Sequence, residues 1–132
     1  MDLDQVRTRM EQFASEIREM KLLPAKKPVV FRDKGGLIMK GVRFEKDWYV
    51  TYTTLANHSA TLAVLQPTAD ENSAYVIVRR RKPDGRRMPD ATLDQLPLAQ
   101  FDQAAQYFMS LVALIGNRDI VHLDRYPGDE DE

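Results

Sequence analysis

The chain reads as an α+β domain: an antiparallel meander of about five strands flanked by an N-terminal and a C-terminal amphipathic helix. Three observations carry that reading. Apolar residues recur at helical spacing at both ends, the middle switches to short extended runs, and the links between those runs are rich in turn formers. Links this short favour antiparallel pairing, because a parallel pair needs a crossover of a dozen or more residues.

Over residues 2–23, Leu3, Val6, Met10, Phe13, Ile17 and Met20 step by three and four, which predicts the first helix. Asp2 and Asp4 suit the positive end of its dipole, and Pro24 stops it. The same seam satisfies three coiled-coil heptads, with Leu3, Met10 and Ile17 at one core position and Val6, Phe13 and Met20 at the other. It can therefore pack on the protein's own sheet or dock a second copy or another protein. Phe and two Met in so short a seam make a poor zipper, so packing on the sheet is favoured.

Strands are predicted at 29–32, 37–44, 48–55, 60–66 and 74–81, with a short return at 86–88. Asp33-Lys34-Gly35-Gly36, Glu45-Lys46-Asp47, Asn57-His58-Ser59 and 67–73 separate them. Gly41 inside the second run suggests a bulge or a close backbone approach. A second helix is predicted over 98–115, where Phe101, Ala104, Ala105, Phe108, Leu111, Val112 and Ile115 form one stripe. Gly116-Asn117 reads as its C-terminal cap, and Thr92 with Gln95 has capping-box spacing before it. Residues 119–126 suggest an edge strand or strap. A single domain over 1–126 and a disordered acidic tail over 127–132 complete the expectation.

Composition narrows the function classes. Hydrophobic residues make up 43% and charged ones 30%, ordinary globular usage, and the net charge of −1 confines any polyanion binding to a local patch. Without cysteine there is no thiolate chemistry and no Cys-based zinc site. No apolar stretch approaches the ~20 residues that span a bilayer, and the mixed-charge start is unlike a signal peptide, so a cytoplasmic protein without membrane contact is expected.

Catalytic and metal motifs do not emerge. His58 and His122 have no spacing that joins them to each other or to carboxylates in a metal-binding pattern. Gly35-Gly36 leads into another strand, so it lacks the helix N-terminus that a phosphate loop uses. No catalytic residue, metal or cofactor is expected, and the chain reads as non-catalytic.

One segment stands apart. Residues 79–87, Arg-Arg-Arg-Lys-Pro-Asp-Gly-Arg-Arg, hold six of the nineteen Lys and Arg residues around a Pro-Asp-Gly turn. Like charges on a hairpin tip repel one another and bury nothing, so an anionic partner is the reading with a physical purpose; a solvated tip that discourages edge pairing is the bland one. Alternation places Arg79 and Arg81 with Tyr75 and Ile77, and Arg80 with Val76 and Val78. Trp48, Val50 and Tyr52 share one face of their strand, Tyr49, Thr51 and Thr53 the other. The expected nucleic-acid-binding set is Arg79, Arg80, Arg81, Lys82, Arg86 and Arg87 on phosphates, with Tyr75, Tyr49 or Trp48 stacking bases, single strands favoured. The alternative is an assembly subunit that docks through the Leu3 to Met20 seam.

Over residues 28–115, a run of antiparallel strands, a basic turn and a closing amphipathic helix resembles the single-strand-binding domains of the Whirly type in the order of its elements. Such a likeness concerns fold and does not carry activity with it.

Overall fold

The computed structural model describes residues 2–22 and 24–117. In chain order these form α1 (Leu3–Glu19), β1 (Phe31–Asp33), β2 (Ile38–Met39), β3 (Val42–Arg43), β4 (Lys46–Thr53), β5 (Ser59–Gln66), β6 (Tyr75–Arg81), β7 (Leu93–Pro97) and α2 (Phe101–Gly116). Asp2 starts α1 with a capping box: its carboxylate accepts from the Gln5 amide, and the Gln5 side chain accepts from the Asp2 amide.

Five strands form one antiparallel sheet in the order β1-β4-β5-β6-β7. Register aligns Trp48, Val64 and Val76 in one row across it, Val50, Leu62 and Val78 in the next, and Tyr52, Ala60 and Arg80 in a third. All nine side chains are buried, because both helices cover this face, α1 over β4 and α2 over β5 and β6. The helices are tied together by Arg9 and Asp102 at 3.1 Å and by the tilted rings of Phe13 and Phe101, 6.3 Å apart. Arg7 pins the sheet edge: it pairs with Asp33 at 2.6 Å, and its guanidinium lies over the Phe31 and Trp48 rings.

Three elements differ from the sequence expectation. The run 37–44 is a separate two-stranded hairpin, with Ile38 opposite Arg43 and Met39 opposite Val42, instead of a strand of the main sheet. The reason is its turn: Lys40 and Gly41 both take positive φ, 52° and 79°, the twist that joins adjacent strands through two residues. The fifth strand is β7, whose Leu93 and Leu96 pack inward while Asp94 and Gln95 do not, a pattern that capping-box spacing concealed. Gly116 closes α2 from inside the helix, and Asn117, the cap, is extended at φ −77°. A Cβ at Gly116 would lie 2.9 Å from the Tyr52 hydroxyl, so close approach accounts for this glycine.

The α1 seam belongs to the core. Leu3, Val6, Met10 and Ile17 are buried, and Phe13 and Met20 pack at the margin. Docking through this seam would require α1 to leave the sheet. No described helix is long and apolar enough to cross a membrane. The expected strap at 119–126, His122 and the acidic tail lie outside the described residues.

Candidate functional site

With both helices on one side, the other face of the sheet is covered only in part. The β2–β3 hairpin lies over one end of it, its base closed by the amide of Phe44 donating to the Leu37 carbonyl at 2.7 Å. Phe44 with Ala63, Leu65 and Ile77 makes a small second core there, and Leu37, Tyr49 and Tyr75 pack around it. The remaining surface is polar and cationic. One groove holds Lys27, Arg32 and Lys34 beside Tyr49, Thr51 and Thr61. Another, on the β6 side, holds Lys40, Arg79, Arg81 and Arg87 beside Tyr75, with Asp94 as its one carboxylate.

The basic hairpin forms as its turn residues dictate. Lys82 and Gly85 close the turn, the amide of Gly85 donating to the Lys82 carbonyl at 2.8 Å, and Gly85 takes φ +88°. Beyond the turn, Lys82 donates to the Arg86 carbonyl, Arg81 bridges Arg87, and Met88 donates to the Arg80 carbonyl. Met88 is buried and anchors the return arm.

The six basic residues do not act as one cluster. Arg80 is wholly buried, at 0% exposure, on the helix-covered face in the row of Tyr52 and Ala60. It is removed from any surface partner. Arg86 pairs with Asp84 at 2.6 Å, and the Asp84 carboxylate, which also accepts from the Arg86 amide, is held below the usual carboxylate range. Lys82 does not line the groove on the β6 side. That leaves Arg79, Arg81 and Arg87 on the open face. Arg79 lies 3.9 Å from Asp94, a loose contact, and Arg81 donates to the Gly85 carbonyl at 2.8 Å. Among the described residues neither Arg81 nor Arg87 has a carboxylate partner. Partial burial, followed by the neighbouring charges of Arg79 and Arg87, lowers the pKa of Arg81.

The aromatic candidates divide in the same way. Trp48, at 2% exposure, is core and cannot stack on a ligand. Tyr49 and Tyr75 are on the open face and half-buried. Lys34 lies over the Tyr49 ring at 5.4 Å. The Tyr49 hydroxyl donates to Asp47 at 3.2 Å, and burial, then the Asp47 charge, push it up from 10.0 to about 12. Burial likewise raises Tyr75, with Asp94 adding to it.

Two parts of this surface escaped the sequence reading as site residues. The alternation Val30, Arg32, Lys34 could have found the first groove, since every second residue of an edge segment shares a face. The β2–β3 hairpin, with Met39 and Val42 beside the arginines, left its signal in Lys40-Gly41. Among the described residues no cluster of His, Asp or Glu is placed to hold a metal ion. No family model matches this chain, and neither a curated protein nor a solved structure matches it.

Proposed function

We propose that this protein is a non-catalytic nucleic-acid-binding module whose contact surface is the helix-free face of the sheet, single strands being favoured over duplex. The observation that carries this reading is the set Arg79, Arg81 and Arg87. These arginines line one groove and find little acidic company within the described chain; partial burial first, and the charges of Arg79 and Arg87 after it, lower the pKa of Arg81. A folded domain gains nothing from holding like charges together, whereas a phosphate backbone relieves the repulsion and accepts the planar donors of Arg in pairs. Lys27, Arg32 and Lys34, in the second groove beside Tyr49, would offer further contacts to the backbone of a bound strand. A cytoplasmic location suits this role and the absence of cysteine.

Fluorescence anisotropy with labelled oligonucleotides over a salt series checks it. Log affinity for a single strand should fall linearly with log salt, by ~0.7 per phosphate neutralised. Absence of binding at about 50 mM salt, or an Arg79→Ala/Arg81→Ala/Arg87→Ala variant that binds as the wild type does, would remove the proposal. Docking through the α1 seam is less well supported, because that seam is buried.

A further inference from the structure

The β2–β3 hairpin carries an apolar surface that its role as a link between β1 and β4 does not explain. Ile38, Met39 and Val42 are 68%, 41% and 44% exposed, three of the four exposed large hydrophobic residues among those described. A connecting turn is ordinarily polar, and exposed apolar residues gathered on so short an element mark a contact surface. The hairpin is also tightly turned and anchored at its base. Its two-residue turn holds Lys40 at φ 52°, a conformation a lysine adopts at some cost, and its base is packed through Leu37 and Phe44 on the sheet.

Cross-strand pairing puts Met39 and Val42 on one face, with Ile38 and Arg43 on the other. Met39 and Val42 line a groove of about 650 Å³ whose opposite side is the open face of β6, with Tyr75, Arg79 and Arg81, and Arg87 beyond. Apolar wall, aromatic ring and guanidinium groups therefore share one concavity. A duplex presents phosphates outward and keeps its base faces stacked, so it would satisfy the arginines and leave Met39 and Val42 in water. An unpaired strand presents both phosphates and free base faces, and satisfies both. A lipid surface would call for an apolar tip, yet the hairpin tip is Lys40-Gly41.

We infer that this groove is a base-binding site, in which Met39 and Val42 of the β2–β3 hairpin clamp unpaired nucleobases against Tyr75 while Arg79, Arg81 and Arg87 hold the backbone, so that the protein selects single strands. The inference rests on the nucleic-acid reading above and adds to it the part of the surface that discriminates against duplex.

The deciding comparison uses Met39→Ser/Val42→Ser, two substitutions at exposed positions that leave both cores intact, and Arg81→Ala/Arg87→Ala. Each is titrated with a labelled oligothymidine of about 12 nucleotides and with a hairpin duplex of the same charge. The serine variant should lose about tenfold in affinity for the single strand, keep its salt slope and leave duplex binding unchanged. The arginine variant should flatten the slope by ~0.7 for each phosphate it no longer neutralises. A serine variant that binds oligothymidine as the wild type does, or a wild type that prefers the duplex, overturns the base-binding site while the nucleic-acid reading stands. A wild type that ignores both oligonucleotides sinks the two together. Binding to phosphatidylserine–phosphatidylcholine vesicles that the serine variant loses, with no oligonucleotide binding, would make the hairpin a lipid contact instead.

Discussion

The side-chain amide of Asn57, in the turn between β4 and β5, donates to the backbone carbonyl of Pro83 at 2.8 Å, and its own carbonyl accepts from Lys26 at 3.1 Å. A residue 26 positions earlier thus holds the tip of the basic hairpin. The turn that carries the cations is therefore braced, and a partner bound there would have less of the loop to order.

Asn57 itself adopts φ 71°, which separates two effects in one residue. Asn57→Gly keeps the backbone at ease and removes the side-chain bonds to Pro83 and Lys26, so it should cost about 0.5–1.5 kcal/mol in urea denaturation. Asn57→Ala removes the same bonds and strains the backbone, and should cost about 1–2 kcal/mol more. Equal losses in the two variants would mean that the turn is not held as described.

Trp48 is the only tryptophan and is buried between α1 and the sheet, which makes it a reporter of folding and not of ligand. Its emission should be blue-shifted, shielded from acrylamide, and unchanged by saturating oligonucleotide. Trp48→Ala should destabilise the protein by about 3–5 kcal/mol, the range for emptying a large aromatic site. Strong quenching by oligonucleotide would place the ring on the wrong face.

Arg80 and its neighbours Arg81 and Arg87 should respond oppositely to truncation. Arg80→Ala removes a large buried side chain and should cost about 2–5 kcal/mol of stability. Arg81→Ala and Arg87→Ala, at exposed positions, should change stability by less than about 0.5 kcal/mol. Thermal melts beside anisotropy would show the division: one variant melting early, the other two folded but weak in binding.

Tyr49 makes stability depend on pH in the alkaline range. Its ionisation is displaced upward, from 10.0 to about 12, so the fold favours the neutral phenol. That contribution is complete below the pKa of the unfolded chain and is lost as pH climbs from about 10 towards about 12. In urea midpoints across that window the wild type should decline more steeply than Tyr49→Phe. At neutral pH the Phe variant should be the weaker of the two, because buried Asp47 loses the hydroxyl that donates to it.

Periodicity disclosed both helices, the main strands and the division of β6 into an inner and an outer row, since side-chain spacing is set locally by 3.6 and 2.0 residues per repeat. The same alternation already placed Arg80 with Val76 and Val78, and the core face confirms it. It could not say which face the helices would choose, and that choice turned Trp48 and Arg80 into core while leaving Tyr49, Arg79 and Arg81 outside. Composition and turn chemistry likewise marked 79–87 as a cationic hairpin. Only the folded chain separated Arg86, neutralised by Asp84, from Arg79, Arg81 and Arg87, and set the β2–β3 hairpin beside them. Local pattern decides what each segment becomes; which charges stay unneutralised, and which distant residues share a groove, depends on packing between segments that the linear order does not encode in any short window.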